Sequence, residues 1–187
     1  MLDRFAESDS STAVRDAHSP YLTSHRAVAA CARELSRLHD AIADDLEEWR
    51  SSQADMAADD SRVHVPAAPV IRRSPARCLV QLGPVALTIA WLQRAQGTTA
   101  DGELLVVVWR GAVAAHTPSG FERVEDRVGP RSAVALWEMV LTVGGDSEAG
   151  LGWAPLGTSG ELMSSNMLAR RCVERLSAAH AECARAD

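Results

Sequence analysis

An apolar stripe with a seven-residue spacing constrains the fold of this chain more than any other feature. Five residues recur at this spacing: Val28, Leu35, Ile42, Trp49 and Met56. A spacing of seven keeps side chains on one side of an α-helix. The stretch 24–57 also contains neither Pro nor Gly, the residues that interrupt helices. We therefore predict a long helix over 24–57, with Ser24 as its N-cap and the stripe buried against the rest of the protein.

The segments on either side of this helix have the composition of connecting chain. Residues 1–20 are rich in Ser, Asp and Ala, and we predict a flexible tail there. They lack the apolar core of an export signal. Residues 58–76 contain Pro66, Pro69 and Pro75, and because Pro lacks an amide donor we interpret them as a linker. A chain without an export signal is expected in the cytoplasm, with its four cysteines reduced.

The region 77–154 has the alternation and the turn residues of β-strands. The predicted strands are Arg77–Leu82, Val85–Leu92, Leu104–Arg110, an exposed one at Phe121–Val128, a longer buried one at Val134–Val143, and a short one ending at Trp153 after a Gly144–Asp146 turn. Segment 84–96 is ambiguous, because Pro84 and Gly97 would also suit the two ends of a helix. We favour a strand there.

A second helix is predicted over 158–185. Thr158 and Glu161 have the spacing of a capping box, while Ser164 or Ser165 would give a later start. The order helix, strands, helix predicts an α+β domain over 21–187. In this fold an antiparallel meander of about four to six strands carries both helices on one face.

The charge pattern excludes some classes of partner. The formal net charge is −6, and the chain contains Arg but no Lys. An acidic chain is not expected to bind nucleic acid, and no apolar run approaches the roughly 18 residues that a membrane-spanning helix needs. Acidic residues concentrate in 40–60 and arginines in 61–100. These two groups either pair within the fold or leave a basic edge that could bind an anion.

No motif for catalysis or metal binding stands out. His180 and Cys183 could share a metal, but Cys172 is about three helical turns from Cys183, too far to join them. Cys78, His116 and Glu138 could form a nucleophilic group only if the fold brought them together, and no local signature supports it. The glycine-rich run 144–160 matches neither phosphate-binding motif. We expect no metal, no cofactor and no catalytic residues.

The candidate binding residues come from the tryptophans. The chain has five Trp but only two Phe and one Tyr. Two of them either pack in the core or stack on a partner or ligand: Trp109, which precedes Arg110, and Trp153. Neither is needed to complete an apolar stripe, which favours them as binding candidates. Three further arginines could lie near them: Arg72, Arg73 and Arg77.

The leading hypothesis is a non-enzymatic protein-interaction module that binds another protein, a second copy of itself, or both. The helix–strands–helix order with an acidic pI resembles small secretion-chaperone and adaptor domains, at the level of fold alone. One alternative is a domain that binds a small molecule or anion through the Trp and Arg residues. Another is an enzyme of unfamiliar type, which would require Cys78, His116 and a carboxylate to converge.

Overall fold

The computed structural model describes residues 20–59, 66–93, 98–111, 113, 133–156 and 162–186. A short 3-10 helix at Pro20–Thr23 leads into the long helix α1 (His25–Asp59), and helix α2 (Ser165–Ala186) closes the chain. Between them lie β1 (Val70–Ser74), β2 (Arg77–Leu82), β3 (Val85–Leu92), β4 (Glu103–Arg110), β5 (Val134–Asp146) and β6 (Gly150–Pro155). Residues 1–19 of the predicted tail at 1–20, and the predicted strand Phe121–Val128, lie outside the described residues.

The strands form one antiparallel sheet in the order β1-β2-β3-β4-β5-β6. Each strand pairs with the next one along the chain, which is the predicted meander. The α+β prediction with its two helices is confirmed. Segment 84–96 contains strand β3, as favoured, because its residues alternate between the two faces of the sheet instead of following a helical repeat.

Helix α1 follows its apolar stripe only in part. The Ser24 hydroxyl accepts a hydrogen bond from the Ala27 amide at 3.2 Å, as expected of an N-cap. Leu35 and Ile42 are buried, Trp49 is half-buried, and Met56 is 47% exposed. The predicted burial of the whole stripe is therefore wrong for Met56, because α1 extends past the layer on which it packs.

The prediction that 58–76 is a linker is wrong for part of this segment, because the segment contains an edge strand. Strand β1 runs from Val70 to Ser74 between Pro69 and Pro75, and it pairs with β2. Pro cannot donate to a sheet ladder, so prolines suggest an interruption, but they are tolerated beside an edge strand whose outer side has no partner. The linker prediction, which was based on the prolines, missed strand β1.

Two boundaries near the C-terminus also differ from the predictions. Strand β5 continues through Gly144 and Gly145 to Asp146, and its first residues, from Val134 to Leu136, are exposed rather than buried. Helix α2 starts at Ser165, where the Ser164 hydroxyl accepts from the Met167 amide at 3.2 Å. The capping box at 158–161 does not start it, because Met163 pairs as an isolated bridge with Trp153.

Both helices pack on the same face of the sheet. Glu34 of α1 contacts Ser165 of α2, and Trp49 contacts His180 with ring centroids 6.1 Å apart, so the two helices run in the same direction. Their apolar faces and one sheet face form a single core. In the described part of the chain, neither helix has the length and apolarity needed to cross a membrane.

Candidate functional site

The pairing register assigns every strand residue to one of two faces. Residues directly opposite in an antiparallel pair share a face, and neighbours along a strand alternate. The helix-covered face includes Arg73, Cys78 and Trp153, because Arg73 bonds to Asp40 of α1 and Trp153 to Ser165 of α2. The opposite face, here called the open face, includes the following residues: Val70, Arg72, Ser74, Arg77, Leu79, Gln81, Ala86, Thr88, Ala90, Leu92, Glu103, Leu105, Val107, Trp109, Glu138, Val140, Thr142 and Ala154.

The open face has an apolar centre. Antiparallel sheets with one solvated face usually alternate apolar and polar residues. Strand β4 does not, because Leu105, Val107 and Trp109 face away from the helices while Leu104, Val106 and Val108 face them. A strand that is apolar on both faces is typical of a sheet covered on both sides. No helix or strand from the described ranges covers the open face.

Trp109 is the largest side chain of the open face. Its indole Nε1 donates to the Thr88 hydroxyl at 2.8 Å, so the ring lies across β3, where Ala86 is buried beside it. The hydrogen bond fixes the orientation of the ring, and Trp109 remains half-buried. A rigid, half-exposed aromatic side chain is the kind of residue that contributes most at protein interfaces.

The two ends of the open face differ in charge. Arg72 on β1 and Glu138 on β5 lie in the same cross-strand row, together with Leu79, Thr88 and Val107. Both charged residues are exposed. The described ion pairs join Arg37 to Glu34, Arg50 to Glu47 and Arg73 to Asp40, so neither Arg72 nor Glu138 belongs to one of them. The row is therefore basic at one end, apolar in its middle and acidic at the other end.

On the open face, Gln81 makes several hydrogen bonds near the turn between β2 and β3. Its amide Nε2 donates to the carbonyl oxygens of Gly83 and Val85 at 2.8 and 2.9 Å, and its Oε1 accepts from the Val113 amide at 3.3 Å. At the far end Leu162 packs against Gly144 and Gly152, where a Cβ would crowd it. These contacts bound the apolar centre on two sides.

The sheet divides the six predicted binding residues between its faces. Trp109, Arg72 and Arg77 belong to the open face. Arg73 belongs to the helix-covered face, where its Nη1 bonds to Asp40 Oδ1 at 2.7 Å, and Arg110 is exposed at the end of β4. Asp40 and Arg73 thus pair across the acidic and basic segments. The structure does not bring the six residues together.

Trp153 belongs to the core, not to a surface that could stack on a partner. It is 1% exposed, and its Nε1 donates to Ser165 Oγ at 3.1 Å. Ser165 Oγ in turn donates to the Glu34 carboxylate at 2.8 Å. Trp91 packs against the Trp153 ring edge-on, with ring centroids 6.1 Å apart. The prediction that Trp153 is not needed for packing is therefore wrong. The neighbouring glycines hid the strand pattern that places Trp153 in the core.

The two candidate chemical groups that lie within the described residues, Cys78 and Glu138, do not converge. Cys78 faces the helices and Glu138 faces the opposite side of the sheet, while His116 lies outside the described residues. Burial raises the pKa of the Cys78 thiol to about 11 and that of Cys172 to about 12, so both are protonated at neutral pH and poor nucleophiles. Among the described residues, no three His, Cys, Asp or Glu side chains form a group that could hold a metal.

Two polar groups of α1 are buried without a partner in the described structure: His39 Nε2 and Asp45 Oδ2. Burial lowers the pKa of His39, and the nearby Arg73 guanidinium lowers it further. Burial raises the pKa of Asp45, an effect opposed by Arg170. Among the described residues, neither group belongs to a cluster of three or more His, Cys, Asp or Glu side chains that could hold a metal.

Sequence reasoning missed most of the open face. It found Trp109 and the arginines Arg72 and Arg77 but not Leu79, Leu105 or Val107, because apolar residues in strands were assigned to the core. The signal was present in β4, whose run of apolar residues does not alternate. Comparison of the chain with protein-family models, with curated proteins and with solved structures finds no match in any of the three.

Proposed function

We propose that this protein is a non-enzymatic interaction module that binds protein through the open face of its sheet. The observation that carries the proposal is the apolar centre of that face, formed by Leu105, Val107 and Trp109 on a strand whose other side is already buried. Leu105 and Trp109 remain partly exposed there, whereas Val107 is only 3% exposed. Apolar side chains that stay partly exposed side by side are a feature of interaction surfaces in soluble proteins. An aromatic anchor with charged residues at the rim is typical of such interfaces.

The proposal can be tested by crosslinking from the face itself. A photoreactive amino acid at position 105 would lie at the apolar centre, and one at position 181, exposed on α2, serves as the matched control. We expect protein adducts from position 105 and few from position 181 when the full chain is irradiated in its native cells. Adducts would appear as bands above 20.0 kDa, the mass of one chain.

The identity of each crosslink decides the outcome. An intermolecular protein adduct from position 105 supports the proposed function, whichever protein it contains. Crosslinks that stay within one chain would mean that another segment of the same chain covers the open face, and they would overturn the proposal. Equal labelling from positions 105 and 181 would also overturn it, since it would show that the open face has no preference for protein.

A further inference from the structure

We infer that the open face binds the open face of a second copy of this chain, with a two-fold axis that runs parallel to the strands and passes close to Thr88. This inference rests on the proposed function and names its partner. In a two-fold contact, the same surface patch is used by both copies. Rotation about this axis brings Arg72 of each copy to the partner's Glu138.

The charges at the two ends of the row carry the argument. Arg72 and Glu138 are four strands apart in one row, about 19 Å at the usual strand spacing, and cannot pair within one chain. Both are exposed and lack an ion pair in the described structure. A two-fold rotation exchanges the basic and acidic ends, so the face is complementary to itself in charge.

The middle of the row fits the same rotation. Thr88 lies at the centre, with Leu79 on one side and Val107 on the other. The rotation places Leu79 over the partner's Val107 and Thr88 over the partner's Thr88. Two sheets that pack face to face bury apolar side chains between layers about 10 Å apart. The rotation lays β4 of each copy over the partner's β2, so Leu105, Val107 and Trp109 face a strand that carries Arg77, Leu79 and Gln81.

Charge reversal tests this arrangement through the oligomeric state. We expect sedimentation velocity over a dilution series to show the wild type as a dimer that dissociates on dilution. Arg72→Glu alone and Glu138→Arg alone each place like charges together twice in a homodimer, so each should weaken dimerisation at least tenfold. Arg33→Glu, an exposed change on α1, is the matched control and should leave the dimer unchanged.

Mixing the two variants provides the decisive measurement. An equimolar mixture of the Arg72→Glu and Glu138→Arg proteins restores opposite charges at both contacts, and the double variant restores them within a homodimer. Both should recover the dimer. Should either reversal fail to fold, Arg72→Gln and Glu138→Gln replace them, and each should weaken the dimer by a smaller factor, about threefold.

Two results would overturn the inference. One is a wild type that stays monomeric up to about 100 μM. The other is a dimer that the single reversals do not weaken, or that the mixture does not recover. If the protein is monomeric while position 105 still crosslinks to a different protein, the second-copy inference fails and the proposed function stands. If position 105 yields no intermolecular adduct, the proposed function fails as well.

Discussion

The two faces of one sheet use the same kinds of residue in different environments, and their two tryptophans show the contrast. Trp153 is enclosed between the sheet and both helices, and its Nε1 bonds to the buried Ser165. Trp109 has a similar hydrogen bond to Thr88 but remains half-buried. The difference lies in the second layer: the described helices cover one face only. Residue type and local pattern therefore do not decide whether an aromatic strand residue is core or surface.

The largest expected effect separates the two tryptophans. Trp153→Ala should lower the free energy of unfolding by about 3–5 kcal/mol, because it empties a closed site in the core. Trp109→Ala should cost about 1–2 kcal/mol, from a smaller buried area and one hydrogen bond. Urea denaturation of both variants at low protein concentration measures the difference. Equal losses would show that the open face is as fully packed as the covered one.

A matched leucine pair on β4 sharpens the comparison. Leu104 faces the helices and is buried, and its neighbour Leu105 lies half-buried on the open face. Leu104→Ala should cost about 2–5 kcal/mol, and Leu105→Ala about 1 kcal/mol. The same denaturation experiment applies. A larger loss for Leu105→Ala than for Leu104→Ala would contradict the assignment of the two faces.

The hydrogen bonds of the two indoles provide a third comparison. Ser165→Ala leaves the Nε1 of Trp153 buried without an acceptor, which should cost about 1–3 kcal/mol. Ser177, whose hydroxyl bonds to the exposed Glu174 carbonyl, is the control, and its change to Ala should cost under about 0.5 kcal/mol. Thr88→Val on the open face should cost less than about 1 kcal/mol, because water can replace the acceptor for a half-buried indole. Similar losses of unfolding free energy for Ser165→Ala and Thr88→Val would contradict the expected difference between the buried and the half-buried indole.

The smallest effect concerns the ion pair between α1 and the edge strand. The Arg73–Asp40 pair has a 2.7 Å contact, but the Asp40 side chain is 65% exposed. A double-mutant cycle with Asp40→Asn and Arg73→Gln should give a coupling of under about 1 kcal/mol. A coupling above about 2 kcal/mol would mean that this edge of the sheet is held by electrostatics more than by packing.

The periodic elements could be predicted from the sequence. The stripe around Leu35 and Ile42 gave α1, and the alternation in 77–92 gave β2 and β3, because both patterns follow directly from helix and strand geometry. Strand β1 was missed because an edge strand tolerates flanking prolines that a central strand would exclude. The start of α2 was ambiguous because two capping signals lay within a few residues of each other.

The candidate site was less predictable than the fold. Trp109 was identified, but it was grouped with Trp153 and Arg73, which face the other side of the sheet. Sequence proximity cannot show which residues share a sheet face, because the face of a residue depends on the register of its strand. A shift of one residue in the register moves the residue to the opposite face. The bulge between Val108 and Trp109 is one such irregularity. The apolar run in β4 was the available clue to a second apolar face.

The sequence by itself determined the order of the elements, their approximate bounds and the antiparallel meander, because local periodicity and short connections leave few alternatives. Only the tertiary structure decided which sheet face the helices cover. That choice enclosed Trp153 in the core, paired Asp40 with Arg73, and left Trp109 half-buried on the open face. The physical reason is that strand residues alternate between two faces, and covering one face depends on contacts between segments far apart in the chain.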